Sequence, residues 1–511
     1  MSLFRVKPLD QLVADTEHSA TRLKRTLGPV QLTSLGIGAI IGAGIFSTVG
    51  TAAAGGSDHL GAGPALVLSF VLVAFACGFA ALCYAEFAAM VPVSGSAYTY
   101  SYATLGELVA WIIGWDLIIE YAVGNVAVAI SWSGYFQELL RGFGIEFPAW
   151  LGIDYRTASQ AAGQLAEARA ASVDITTLGV AVERAASALA SAPVIAGVPI
   201  VFNLPAFLIV MLVTWVLVRG INESAWLNTS MVVLKLAIIG FFLLVGAFYV
   251  KPENWSPFAP NGWTGISSAA AIIFFAYIGF DAVSTAAEET KNPQRDMPIG
   301  MIASLIVCTM IYIGVAIVLT GLLPWNQLAT AEPLATAFSA LGLNWAAAII
   351  SAGAVFATTS VLVVFQLGQP RIFFSMARDG LLPPWAARVH PRFRTPHVTT
   401  ILTGVAVGLF AAIANINEVV ELTNIGTLFA FVVVAVGILV LRYTDPNRVR
   451  PFRTPWVPLV PLGAIVSCAY LMLQLPAATW IRFVVWLAIG LGFYFVYGVH
   501  KSKLRNGPAG A

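Results

Sequence analysis

Apolar residues in this chain fall into long runs separated by short polar stretches. About 20 consecutive apolar residues is the length that crosses a bilayer as a helix. Twelve such segments are read, near residues 33–53, 64–90, 104–136, 201–219, 226–250, 264–287, 298–323, 343–368, 397–414, 418–441, 456–474 and 478–499. The third is long enough to tilt strongly or to protrude. Two segments are interrupted. The first contains Gly36-Ile37-Gly38-Ala39-Ile40-Ile41-Gly42-Ala43-Gly44-Ile45-Phe46, and the sixth contains Phe274-Phe275-Ala276-Tyr277-Ile278-Gly279-Phe280-Asp281. Glycine weakens a helix by about 1 kcal/mol relative to alanine. Backbone groups freed in lipid find partners only where they line a cavity. Paired breaks in corresponding halves of a membrane chain point to a solute site at the midplane.

The polar stretches set the orientation. Most Lys and Arg fall on one side, and the other side holds only Arg141, Arg156, Arg169, Arg184, Lys251 and Arg482. This asymmetry predicts cytoplasmic termini. One large insertion, 137–200, is expected outside, with a short helix or two packed over the outer face. Spans 1–5 and 6–10 each begin with a broken helix, which predicts two inverted repeats with spans 11–12 appended. The expected divisions are a cytoplasmic tail at 1–28, a first repeat at 29–250, a second repeat at 251–442, two further helices at 443–499 and a cytoplasmic tail at 500–511.

Composition agrees with a polytopic membrane protein: the 511 residues are 59% hydrophobic and 10% charged, against about 25% charged in soluble domains. The net charge of +2 carries no basic stripe, so nucleic acid is not expected. Cys77, Cys83, Cys308 and Cys468 all lie in apolar segments and are read as buried thiols rather than a disulfide framework. The start of the chain is polar and charged to Arg25, and no cleavable signal peptide is expected before the first span. No phosphate-binding loop, metal-ligand spacing or nucleophile with partners is visible. No enzyme, cofactor or metal is therefore expected.

Several motifs carry a resemblance. The run Gly38-Ala39-Ile40-Ile41-Gly42-Ala43-Gly44-Ile45-Phe46 is similar to span 1 of the amino acid–polyamine–organocation superfamily. Gly114-Trp115-Asp116-Leu117-Ile118-Ile119-Glu120-Tyr121 and Ala287-Glu288-Glu289-Thr290-Lys291-Asn292-Pro293, with Arg295 and Pro298, narrow it. So do Gly368-Gln369-Pro370-Arg371-Ile372-Phe373, Ala377-Arg378-Asp379-Gly380-Leu381-Leu382-Pro383, Asn424-Ile425-Gly426-Thr427-Leu428 and Arg450-Pro451-Phe452-Arg453-Thr454-Pro455. Together they resemble the cationic amino acid transporter branch and its bacterial relatives, from about Leu27 to Val499. The insertion departs from the shorter bacterial forms. The resemblance implies an all-α integral membrane fold of twelve helices. It is a LeuT-like five-plus-five inverted repeat with helices 1 and 6 broken and two helices appended. The implied activity is sodium-independent transport of L-amino acids across the cell membrane by alternating access, coupled to protons or run as exchange. The oligomeric state stays open, with a monomer plausible. A polyamine or small neutral amino acid carrier, a channel and a nutrient-sensing transceptor are the alternatives.

On the family pattern Ile40, Ala43, Gly44, Phe275, Ala276 and Ile278 contact substrate. The amides that start the second half of span 1, near Ala43, form the positive end of a helix dipole and suit a carboxylate. The carbonyls released near Phe275, Ala276 and Ile278 suit an ammonium. Gly42 is a neighbour of this set. A close helix packing role for the glycines is the alternative.

Lys235 stands mid-span in Met231-Val232-Val233-Leu234-Lys235-Leu236-Ala237. A charge at the bilayer centre costs a few kcal/mol, so such groups are functional by default. In the family pattern a lysine here lies where sodium-coupled relatives hold their ion. Its ammonium could fill that role, linking spans 1, 5 and 8, and could release and rebind a proton. The alternative is a lysine snorkelling to an interface.

Glu120, deep in span 3, matches the family's glutamate and is a candidate for proton carriage, or for pairing with Lys235 or a cationic substrate. Asp116 lies one turn earlier on that face; an anchored polar group is its alternative. Glu86 and Asp281, nearer span ends, read as structural or gating partners. Glu288, Glu289 and Arg295, with Arg371 and Arg378, read as an inner salt-bridge gate or an ordinary solvated loop. Thr358, Thr359 and Ser360 are expected to turn hydroxyls toward the lysine or substrate region, or to bond back to their own helix. Ala357 beside them leaves room for a long side chain.

Overall fold

The computed structural model describes residues 5–7, 27–56, 59–90, 96–171, 180–220, 225–393 and 395–506. It is almost wholly helical. The first half holds α1 (Pro29–Ile40), α2 (Val49–Ala54), α3 (Leu66–Met90), α4 (Ser96–Thr104), α5 (Glu107–Ile118), α6 (Gly124–Gly142), α7 (Tyr155–Ala170), α8 (Val180–Ser191), α9 (Leu204–Arg219) and α10 (Ala225–Ala247). The second half holds α11 (Gly262–Ile273), α12 (Pro293–Leu322), α13 (Pro333–Ala340), α14 (Asn344–Arg378), α15 (His397–Ile413), α16 (Ile416–Thr444), α17 (Leu459–Leu473) and α18 (Ala477–Phe493).

Eight helical runs among the described residues are long and apolar enough to cross a membrane. A ninth forms if the pair Pro29–Ile40 and Gly44–Ala54, bent by 42°, is one span. The shorter apolar helices α9, α15 and α17 occupy the remaining apolar segments. Phe75, Leu244, Phe356, Val466 and Ile481 are exposed on their helices. A belt of large apolar side chains on this scale is unfavourable in water and at rest in lipid. The chain is a multi-pass membrane protein.

The bundle is held by α6 against α14, and by α12 against both α1 and α3. α5 and α6 form one run of 36 residues, Glu107–Gly142. Between them Ile119–Val123 widens into a π turn, a local defect that turns side chains off the regular helical face and recurs at functional sites. The insertion holds two helices, α7 and α8, which pack on one another. No periodicity marks the hairpin Val194–Ile195 with Val198–Pro199 that follows them. All four cysteines are free and buried.

Candidate functional site

The two breaks meet. α1 ends at Ile40, Ile41 turns extended (φ −75°, ψ 97°), and a π turn opens at Gly44. α11 ends at Ile273, a tight turn covers Phe274–Tyr277, and Ile278 turns extended (φ −60°, ψ 134°). Gly279 follows at φ +118°, a conformation that glycine adopts without a Cβ penalty. At Gly44 a Cβ would lie 2.2 Å from Ala276 Cα, and at Gly279 one would lie 2.8 Å from the Ala39 carbonyl oxygen. The glycines therefore serve backbone-to-backbone contact between the breaks, not merely the breaks themselves.

A residue missed in the sequence ties the two together. The Tyr312 hydroxyl of α12 lies 3.0 Å from the Ile40 carbonyl and 2.9 Å from the Ala276 carbonyl, and its single proton serves both. Asn424 donates to Ala271 at 2.7 Å and to Ile272 at 3.0 Å, capping carbonyls left at the end of α11. Removing a buried donor costs about 1–3 kcal/mol. Tyr312→Phe is expected to lower the unfolding temperature in detergent accordingly. An unchanged transition would show that neither carbonyl depends on it.

Ile40, Ala43, Phe275, Ala276, Ile278 and Ala357 are all buried around this contact. α14 reaches the first break at Val361, one turn beyond Ala357: a Cβ on Gly42 would lie 2.9 Å from Val361 Cγ2. Of the two readings of the hydroxyl triple, the structure shows the bonds back to its own helix. Thr358 donates to Ala354 at 2.6 Å, Thr359 to Val355 at 2.6 Å and Ser360 to Ala357 at 3.1 Å. Thr359 also accepts from the Trp132 indole at 2.9 Å. These hydroxyls satisfy themselves on their own helix, which a helix interior readily permits.

Lys235 is 1% exposed, so it does not snorkel. Its ammonium donates to the Gly38 carbonyl at 2.7 Å, joining α10 to the helix just before the first break. Glu120 stands on the π turn, within hydrogen-bonding reach of Asp281 and Thr427 and near Asp116. No contact joins Glu120 to Lys235 among the described residues. One oxygen each of Asp116 and Asp281 is buried without a hydrogen bond. Gly426 leaves room for this group, since a Cβ there would sit 2.8 Å from Asp116 Oδ1. Asp281, read as a span-end residue, thus joins the central carboxyls. The cue was its place two residues after the Gly279 break.

Two buried glutamates form ion pairs near the chain termini. Glu86 is buried and accepts from Arg442 at 2.7 Å and from the Thr454 amide at 2.8 Å, with Arg450 at 3.1 Å. Glu107 meets Arg505 at 3.1 Å, the Tyr494 hydroxyl at 2.9 Å and Ser502. Arg295, Arg371 and Arg378 are exposed and form no ion pair among the described residues. The Glu288 side chain lies outside the described residues. At the opposite end Ser47 bonds to Ser131 and to the Ala331 carbonyl, and Tyr135 donates to the Phe46 carbonyl. These contacts close the second half of the broken span against α6 and the loop before α13.

Two apolar helices broken at glycines and crossing inside a membrane bundle define a solute-handling membrane protein. The comparisons with known proteins then give the family: residues 27–495 match the amino acid permease family, and the chain belongs to it, within the amino acid–polyamine–organocation superfamily. It is 47% identical over 507 residues to the branched-chain amino acid permease BcaP of Bacillus subtilis, covering 99% of each chain. It is 45% identical over 505 residues to the methylthioribose transporter of the same organism, covering 99% of this chain and 100% of the relative. The vacuolar cationic amino acid transporter 4 of Arabidopsis thaliana is 36% identical over 454 residues, 88% of this chain and 68% of the relative.

Proposed function

We propose that this protein is a secondary active transporter that moves L-amino acids across the cell membrane by alternating access. The observation that carries the reading is the contact of the two breaks, with Gly44 against Ala276. There the start of the helix after the break, whose amides form the positive end of its dipole, meets the irregular backbone of the second break; Phe46 already donates to the Gly42 carbonyl. A carboxylate fits the amides and an ammonium fits the carbonyls of Phe275 and Ile278. Ala276 already shares its carbonyl with Tyr312. In this reading α9, α15 and α17 also span the membrane, giving twelve spans with both termini inside, as two five-helix repeats and two appended helices.

The side chains at the breaks favour a neutral aliphatic substrate. Ile40, Phe275, Ile278 and Ala357 are apolar, and the Glu120 carboxyl has Asp281, Asp116 and Thr427 as neighbours. The name of the Bacillus branched-chain permease agrees with this preference. Lys235, when protonated, places an ammonium beside Gly38 that repels sodium, so transport runs without sodium. Proton coupling rests on Lys235 and Glu120. A thermal-shift series on the purified protein tests the substrate reading with alanine, leucine, arginine, lysine and putrescine. Leucine and alanine are expected to stabilise it. Stabilisation by arginine and lysine alone would reverse the side-chain preference, and none by any amino acid would end the reading.

A further inference from the structure

Above the Ser47–Ser131–Ala331 closure lies a cavity of about 990 Å³, large enough for a small solute. Its floor is formed by Thr51 and Gly134, its roof by the insertion helices α7 and α8, and its wall includes Glu332, Arg141, Arg184 and Glu418. It therefore carries both signs of charge at the entrance to the broken span.

The charges are not evenly matched. Glu138, at the end of α6, has Arg141 and, at 3.7 Å, Arg184. Glu418 has Arg156 and, at 3.2 Å, Arg482. Glu332 forms no ion pair among the described residues. Its carboxylate occupies the space that glycine leaves at 134, where a Cβ would lie 2.6 Å from Glu332 Oε2. The neighbouring Ala331 carbonyl takes the Ser47 hydroxyl, so Glu332 stands one peptide from the closure. Burial, and next the negative charge of Glu138, push the Glu332 carboxyl up to about 7, while Arg141 and Arg184 pull it down. Such a carboxylate gains from any cation brought beside it.

We propose that this cavity is a first binding station for the substrate, in which Glu332 receives the α-ammonium group and Arg184 the α-carboxylate. The inference rests on the amino acid transport reading and adds a second site to it, on the near side of the closure. Arg184 is suited to the carboxylate because its guanidinium is half exposed to the cavity and only loosely held by Glu138. The station recognises the backbone of an amino acid and leaves the side chain to the central site. It raises the local concentration of zwitterion at the closed door without contributing to the rate of passage.

The test is the concentration dependence of labelled L-leucine and L-arginine uptake into liposomes holding wild type, Glu332→Gln or Arg184→Gln. Each variant is expected to raise KM about fivefold and leave the maximal rate unchanged, the pattern of a lost binding interaction. The Glu332→Gln effect is expected to be larger at pH 8 than at pH 6, because the wild-type carboxylate is more fully charged at pH 8. It should shrink in high salt. Unchanged KM in both variants, or a fall in maximal rate at unchanged KM, would overturn the station. Arg184 lies on an outer helix of the insertion, so its variant keeps the test open should Glu332→Gln fail to fold. Absence of uptake of both probes by the wild type would instead bring down the transport reading, and the station with it.

Discussion

Gly44→Ala is expected to reduce uptake by at least about 100-fold. The added Cβ would fall 2.2 Å from Ala276 Cα, and backbone cannot rotate aside as a side chain can. The two breaks must separate by about 1 Å to relieve the overlap. A displacement of that size at a reacting or binding geometry is worth about 10²-fold. The Tyr312 hydroxyl, which reaches both breaks at once, would lose one of its two carbonyls in the same movement. Gly78→Ala in α3 is the matched control, because a Cβ there meets nothing within 4 Å. Uptake by proteoliposomes, with thermal unfolding run alongside, makes the comparison. Gly44→Ala transport within tenfold of wild type would show that the contact of the breaks is packing alone.

Lys235→Ala is the second large effect. The buried ammonium is held only 2.7 Å from the Gly38 carbonyl, on the helix that leads into the first break. Its loss removes the titratable ammonium and leaves that carbonyl without its donor. The variant is expected to lose about 10²-fold in uptake driven by an inward proton gradient, the scale of a missing proton-transfer group. Its yield in the membrane is expected to change far less. Replacing external sodium with choline should leave the wild type unaffected. A wild type that needs a sodium gradient, or a Lys235→Ala protein that still responds fully to the proton gradient, would contradict this role.

Much of this architecture was legible because its signals are local. Runs of apolar residues mark the helices, and glycine marks the breaks at 42–44 and 279. The two helices of the insertion showed as alanine-rich stretches between polar residues, whereas the two-residue strands of the hairpin after them are too short for any periodicity. Long-range partners were not legible. Tyr312 is a lone tyrosine in an apolar helix, and nothing nearby says that its hydroxyl reaches residues 40 and 276. Glu86 meets Arg442 and Arg450 across more than 350 positions of sequence. The hydroxyl triple at 358–360 looked like a polar lining, yet each hydroxyl has a carbonyl of its own turn within reach. Local composition could not separate those outcomes. The Glu120 partner was open for the same reason: Lys235 and Asp281 are both distant in sequence, and only the fold brings Asp281 to it.

In the proposed reading, the meeting of the two breaks binds and moves an amino acid. The most direct test is uptake of labelled L-leucine by the purified protein in sodium-free liposomes under an inward proton gradient. Unlabelled L-amino acids serve as competitors, and Gly44→Ala serves as the inactive reference. The expected result is accumulation above the external concentration, abolished by excess unlabelled leucine and absent in Gly44→Ala. Folded wild-type protein that takes up no L-amino acid from a full panel, with or without a gradient, would contradict the claim.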